Sequence, residues 1–124
     1  MKIVIPKKIT NKYHNKKVQL YGLKFDSIKE RNRYLVLNAA QKKGFIKELE
    51  LQKTFLLQES FVDNEGKKQR PIYYIADFFY YDNKEKCYIA EDVKSKATRK
   101  DTTYRIKCKM FMYKYPDISF KEVL

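Results

Sequence analysis

Three residues in the middle of the chain have the types and the spacing that phosphodiester chemistry uses. Asp77 interrupts the apolar stretch Ile72–Phe79, and Asp92 interrupts a second apolar stretch, Tyr88–Val93. A carboxylate inside an apolar strand loses solvation, so it needs a cation or hydrogen bonds to stay ionised. Lys94 follows Asp92 by two residues, and side chains two apart on a strand project to the same face. These three side chains are therefore expected to meet if the two strands are neighbours.

Two carboxylates and a lysine in such an arrangement suit the hydrolysis of a phosphodiester bond. Carboxylate oxygens are ligands for Mg²⁺, a hard cation that also keeps several waters. A bound Mg²⁺ polarises a phosphate oxygen and activates water, and a lysine beside it stabilises developing negative charge. The plain alternative is an ordinary surface ion pair between Asp92 and Lys94, with Asp77 capping a turn. The Asp-x-Lys pattern is frequent by chance in a chain with 35% charged residues.

A helix is expected ahead of these strands, beginning near Ser27. Asp26 or Ser27 can cap it, and Glu30 completes a capping-box pattern three residues after Ser27. Apolar residues then recur at helical spacing as far as Ala40, and Gly44 stands where a C-terminal stop is expected. The pattern predicts one amphipathic helix between these limits.

Strands are expected to follow this helix. The segment 46–62 carries apolar residues on one parity, and the turn-forming residues Asp63–Gly66 end it. The aromatic segment 72–81 and the short segment 87–94 then flank a second turn at Asp82–Lys84. If that turn makes a hairpin, Asp77 lies on the strand next to Asp92.

The chain becomes strongly basic after Lys94. A second helix is expected from Asp101 or Thr102, with a final strand over 118–123. The order is helix, three strands, helix, strand, which predicts an α/β fold with a mixed sheet flanked by helices. Six basic residues of this region are candidates for holding a DNA backbone: Lys96, Arg99, Lys100, Arg105, Lys107 and Lys109.

The bulk composition favours one domain with a polyanionic partner. The chain has 124 residues, 28 of them Lys or Arg against 15 Asp or Glu, giving a formal charge of +13. Nucleic acid is the leading partner, ahead of an acidic membrane surface, and no apolar run is long enough to cross a bilayer.

Residues 1–24 form a lysine-rich arm, which either follows a phosphate backbone or is a solvated tail, and 25–124 form the domain. Cys87 and Cys108 have no metal-binding spacing, and a soluble, cytoplasmic protein is expected.

Together these residues resemble the PD-(D/E)XK nucleases. Asp77 and then Asp92-Val93-Lys94 have that pattern, and the element order is similar to the restriction-endonuclease-like core. The stretches Ile75–Phe78 and Glu91–Ser95 resemble a group of small phage-encoded proteins placed among these nucleases, some of them described as Holliday junction resolvase-like. The likeness extends over roughly residues 20–124. Ala76 stands where the literal pattern has proline.

The resemblance implies roles for individual residues. Asp77 and Asp92 would bind Mg²⁺, with Mn²⁺ as an alternative, and Lys94 would be the catalytic lysine. Glu30 would match an acidic residue near the metal on the first helix, although its role as a helix cap is an equally good interpretation. Glu91 replaces Asp92 if a bulge interrupts the strand.

The implied function is a metal-dependent endonuclease acting on DNA, including branched or recombining phage DNA in the host cytoplasm. A resolvase role would require a homodimer, because two strands are cut at two sites. The alternative is a binding module on the same fold, which holds nucleic acid or another protein without cutting it.

Overall fold

A computed structural model describes residues 18–20 and 22–124 of the chain, with the side chains of 22–124. The basic residues of the arm between 1 and 17 lie outside the described residues. Within these described residues there are two α-helices and eight strands, together with a short 3₁₀ helix at Thr98–Lys100. In chain order these are β1 (Val18–Leu20), β2 (Leu23–Phe25), α1 (Ile28–Lys42), β3 (Ile46–Gln58), β4 (Phe61–Val62), β5 (Lys68–Gln69), β6 (Ile72–Asp82), β7 (Cys87–Val93), α2 (Thr102–Lys114) and β8 (Ile118–Val123).

A four-stranded mixed sheet forms the centre of the fold. Its strand order is β3-β6-β7-β8. The pairs β3–β6 and β6–β7 are antiparallel, whereas β8 lies parallel to β7 after the crossover through α2. The α/β class and the mixed sheet with flanking helices are therefore confirmed.

Both helices begin at the caps that the sequence predicts. The Ser27 hydroxyl accepts a hydrogen bond from the Glu30 backbone N–H at 3.0 Å, which satisfies a donor in the first turn of α1. At the other end Gly44 has a φ of +82°, a conformation that glycine adopts without strain. The Asp101 carboxylate accepts from the Tyr104 N–H at 2.9 Å and caps α2.

Each helix covers one face of the sheet and has its own apolar cluster. The α1 cluster joins the helix residues Tyr34 and Leu37 to buried sheet residues. The α2 cluster joins Tyr104, Cys108 and Phe111 to the opposite face. Burying two separate apolar faces on one sheet is the usual source of stability in a three-layer fold.

The long hairpin of β3 and β6 changes faces halfway along its length. Phe78 and Tyr80 of β6 belong to the α1 cluster, whereas Tyr74 and Ala76, which have the same parity, belong to the α2 cluster. The same reversal occurs in β3 around Gln52, which has a left-handed φ of 53°. Simple alternation would place these residues on one face, so the left-handed residue rotates the outer half of the hairpin relative to the inner half.

Two small hairpins were not expected from the sequence. The strands β1 and β2 pair antiparallel, and Leu23 and Phe25 of β2 are buried in the α1 cluster. This hairpin begins inside the segment 1–24 that the charge pattern assigns to the arm. The strands β4 and β5 also pair, around the turn predicted at Asp63–Gly66.

Candidate active site

Asp77 and Asp92 lie beside each other where β6 and β7 separate. The hairpin expected around Asp82–Lys84 is present, and its ladder ends at the pair Phe78–Glu91. One residue further on in the same register, Asp77 stands across from Asp92. Both aspartates are buried, each with 3% of its surface exposed. The fold therefore brings together two carboxylates that are 15 positions apart in the sequence.

The Asp77 carboxylate is held by donors on both sides. Its Oδ2 accepts a hydrogen bond from the Val93 backbone N–H at 2.8 Å, and its Oδ1 accepts from the Gln52 side-chain amide at 3.3 Å. The first contact links β6 to β7 beyond the end of their ladder. Both oxygens of Asp77 are therefore held by groups of neighbouring strands.

Asp92 lies between a tyrosine and a lysine. Its Oδ2 accepts a hydrogen bond from the Tyr74 hydroxyl at 2.7 Å, and its Oδ1 lies 3.2 Å from the Lys94 Nζ. Burial and the neighbouring charge of Asp77 raise the pKa of Asp92 to about 8, against the opposing effect of Lys94. Keeping both Asp77 and Asp92 ionised therefore costs folding free energy unless a further cation is bound.

Lys94 is positioned by an aromatic ring as well as by Asp92. Its Nζ lies 4.3 Å from the centroid of the Tyr104 ring, at the start of α2. The Tyr104 hydroxyl in turn donates to Glu122 at 2.6 Å, and the other Glu122 oxygen lies 3.4 Å from Arg99. Tyr104 thus packs in the apolar cluster of α2 and also contacts the Lys94 ammonium.

Glu30 contributes its backbone to the helix cap, and its side chain contacts the glutamine that bonds Asp77. Its backbone N–H takes part in the helix cap described above, whereas its side-chain Oε1 accepts from Gln52 Nε2 at 3.2 Å. The same amide bonds Asp77, so Gln52 links the first helix to the acidic pair. Gln52 was missed in the sequence because a glutamine in a strand carries no distinguishing signal. Its left-handed backbone lies where the hairpin changes faces.

Glu91 lies on the opposite face of β7 from Asp92. It is fully buried and receives two hydrogen bonds from the Arg33 guanidinium, at 2.7 and 2.6 Å, together with one from the Tyr80 hydroxyl. The hydrogen bond from Arg33 to Glu91 raises the pKa of the guanidinium. The strand has no bulge here, so Asp92, rather than Glu91, is the acidic residue beside Asp77 and Lys94.

One family matches almost the whole chain. It is described as a protein of unknown function, DUF1064, and its match extends over residues 10–124. The chain belongs to the DUF1064 family. No curated protein and no solved structure matches it. Because the family description names neither a fold nor an activity, the likeness to PD-(D/E)XK nucleases remains a prediction for this DUF1064 protein.

The basic residues that follow the site in the DUF1064 chain are mostly exposed. Lys107 is half-buried, and Arg99 forms the ion pair with Glu122. The exposed members of the set are Lys96, Arg99, Lys100, Arg105 and Lys109.

None of the helices in the described part of the chain is long and apolar enough to span a membrane.

The acidic pair of the DUF1064 chain supplies a small set of oxygen donors for a cation. Among residues 22–124, no three or more His, Cys, Asp or Glu side chains are grouped as a ready metal site. The fit of Mg²⁺ therefore rests on Asp77 and Asp92. Two buried carboxylates that repel each other suit an ion that takes few protein ligands and keeps several waters. A metal role for Glu30 remains a prediction.

Proposed function

We propose that this protein is a metal-dependent endonuclease that hydrolyses phosphodiester bonds in DNA. The observation that carries the proposal is the buried pair Asp77–Asp92, with the Lys94 ammonium 3.2 Å from Asp92. Buried like charges destabilise a fold, so an aspartate with a strongly raised pKa beside a second carboxylate and a lysine is a functional-site candidate. The resemblance to PD-(D/E)XK nucleases gives this site its reaction class.

Asp77 and Asp92 would hold Mg²⁺ or Mn²⁺. When bound, such an ion polarises a phosphate oxygen and lowers the pKa of a coordinated water. The hydrogen bonds from Val93 and Tyr74 fix one oxygen of each carboxylate, and the other two oxygens contact the Gln52 amide and the Lys94 ammonium. Because Lys94 lies beside Asp92, its ammonium would also reach a phosphate bound at the metal and stabilise the negative charge that develops there.

The surface around the site supports a DNA partner. The basic segment that begins at Lys94 leads directly into α2, so cations are concentrated beside the carboxylates. Contacts with phosphates would bring the backbone to the site and make binding dependent on salt. Branched or recombining DNA in a cytoplasm is the setting that the resemblance suggests, and cutting a four-way junction symmetrically would need a homodimer.

Incubation with linear, supercoiled and four-way-junction DNA tests the proposal. We expect cleavage of at least one substrate with Mg²⁺ or Mn²⁺ and none with EDTA. Loss of cleavage in Asp77→Asn would assign the activity to this site. Cleavage that survives this substitution, or no cleavage of any substrate, would refute the proposal.

A second candidate function is DNA binding without cleavage. Lys94 already neutralises part of the charge on Asp92, and the described residues contain no group of three metal ligands. These two observations favour a site in which the lysine stands in place of a metal. Such a protein would bind DNA with a steep salt dependence, and binding would survive the double change Asp77→Ala with Asp92→Ala.

Replacing Lys94 separates catalysis from metal binding. We expect Lys94→Ala to lower the cleavage rate at saturating DNA by on the order of 10²-fold, because the developing charge loses a donor. Mn²⁺ should bind as tightly as before or more tightly, since a competing cation has left Asp92. Single-turnover cleavage and Mn²⁺ titration measure the two effects. Lys84→Ala is the matched control, because that lysine is exposed in the turn between β6 and β7 and is not among the candidate DNA contacts. Weaker Mn²⁺ binding in Lys94→Ala would contradict the expected role.

Removing the Gln52 amide should loosen the acidic pair. Gln52→Ala loses the bonds to Glu30 and Asp77, and the loss of such an outer partner typically weakens metal affinity by about 10- to 100-fold. Gln58→Ala is the matched control, because Gln58 is also a half-buried glutamine of β3. Isothermal titration with Mn²⁺ compares the two variants. Equal affinities would show that Gln52 has no part in positioning Asp77.

A further inference from the structure

The outer half of the β3–β6 hairpin has one covered face and one bare face. Its α2 side is packed, and the residues between the packed ones point the other way. Beyond Gln52 and Asp77, this second side carries Tyr73 and Ile75, which are 44% and 40% exposed. Thr54 is exposed and Leu56 half-buried on the paired strand, since Thr54 pairs with Ile75 and Leu56 with Tyr73. We call these four residues the platform: Thr54, Leu56, Tyr73 and Ile75.

The platform adjoins the candidate active site. The α1 cluster covers only the inner half of the hairpin, up to Leu51 and Phe78. Asp77 stands at the boundary, with Ile75 two residues away and Tyr73 four residues away on the same strand. At about 3.3 Å per residue, Tyr73 lies about 13 Å from Asp77. A strand bound across the platform would therefore approach Asp77 along β6.

Basic side chains lie at the far end of the platform. The hairpin of β4 and β5 continues from it and exposes Phe61 and Val62, at 46% and 66%. Asp63 orders the turn of this hairpin by accepting hydrogen bonds from two backbone N–H groups and the Gln69 amide. Three exposed basic residues follow, none of them in an ion pair within the described part of the chain: Lys67, Lys68 and Arg70.

We propose that the platform binds an unpaired stretch of a DNA strand, with a base stacked on the Tyr73 ring next to Ile75. Bases inside a duplex are stacked on one another, so only unpaired bases offer a ring face to a protein side chain. The basic residues at the end of the platform complement the phosphates of that strand. The substrate class is DNA with an unpaired segment at a branch, flap or gap. This inference rests on the proposed nuclease function for the site to which the strand is delivered.

Binding in EDTA tests the platform without requiring cleavage. We expect the wild-type chain to bind a fluorescein-labelled oligo(dT) more tightly than a duplex of equal length, measured by fluorescence anisotropy. Tyr73→Ala should weaken oligo(dT) binding by on the order of tenfold or more and change duplex binding little, because one stacked base is lost. Tyr73→Trp should retain the affinity. Tyr113→Ala is the matched control, since Tyr113 is 90% exposed on α2.

Two results would overturn the inference. One is equal oligo(dT) affinity of Tyr73→Ala and Tyr113→Ala, provided that circular dichroism shows both variants folded. The other is concentration-dependent dimerisation lost in Tyr73→Ala, which would make the platform an interface between two copies of the chain. Metal-dependent cutting that needs Asp77 would survive either result. If the wild-type chain prefers oligo(dT) but cuts no DNA, only the proposed nuclease function is refuted.

Discussion

Replacing Asp92 by asparagine is expected to abolish metal-dependent cleavage while making the metal-free protein more stable. A bound cation supplies several kcal/mol of transition-state stabilisation, so its loss lowers the rate by on the order of 10³-fold or more. Asparagine keeps the shape of Asp92 and can still pair with the Tyr74 hydroxyl, which lies 2.7 Å from the carboxylate. The change therefore removes one charge with little change in packing.

The stability gain of Asp92→Asn should depend on pH. Burial and Asp77 raise the pKa of Asp92 to about 8 in the folded chain, whereas an unfolded aspartate titrates near 4. The folded state thus binds a proton that the unfolded state has lost. The stability from this proton is complete below about pH 4 and is lost as the pH rises through about 8. Asparagine does not titrate, so the gain of the variant over the wild type grows across that window.

Thermal melting in EDTA at about pH 5 and about pH 8 measures this difference. We expect the Tm of Asp92→Asn to exceed that of the wild type more at the higher pH. Added Mn²⁺ should raise the Tm of the wild type and leave that of the variant unchanged. Glu122→Gln is a suitable control, because Glu122 is the half-buried acid of β8 that pairs with Asp92 in the parallel ladder. A Tm of Asp92→Asn below that of the wild type at both pH values would contradict the raised pKa of Asp92.

Replacing Arg33 by methionine is expected to be the most destabilising single change on the α1 side. Glu91 has no exposed surface, and Arg33 supplies two of its hydrogen bonds. Removing one partner of a buried ion pair leaves an uncompensated charge and costs about 3–5 kcal/mol. That is a large part of the free energy of unfolding of a typical domain, about 5–15 kcal/mol. Urea unfolding followed by circular dichroism measures the loss.

Two further variants separate the lost charge from lost packing. Arg31→Met is the matched control, because the Arg31 side chain bonds only the neighbouring Asn32 among the contacts described. The double change Arg33→Met with Glu91→Met should recover much of the stability, because an apolar pair replaces the ions. If Arg33→Met costs no more than Arg31→Met, the buried ion pair is not stabilising. Glu91→Gln should leave Mn²⁺ affinity unchanged, since Glu91 lies on the other face from Asp92.

Local signals in the sequence were enough to predict the main elements. Caps and stops mark their own positions, so Ser27, Gly44 and Asp101 end or begin helices where the pattern places them. The turn at Asp82–Lys84 likewise predicts the hairpin, and that hairpin alone brings Asp77 next to Asp92. The core of the candidate site was therefore predictable because it depends on one short-range turn.

Features that depend on long-range geometry could not be predicted. Parity identifies which strand residues are buried but not which face they occupy, so the reversal at Gln52 was missed. Arg33 and Glu91 are 58 positions apart and look like ordinary charged residues in the sequence. The β1–β2 hairpin was missed because lysines surround it and the segment resembles a solvated arm.

A crystal soaked in Mn²⁺ would show whether Asp77 and Asp92 hold a metal ion, because Mn²⁺ is located by its anomalous scattering. We expect a single strong anomalous peak at coordination distance from carboxylate oxygens of both Asp77 and Asp92, and no such peak in Asp92→Asn. A wild-type crystal with no peak at this pair, and with Lys94 still bound to Asp92, would contradict the account.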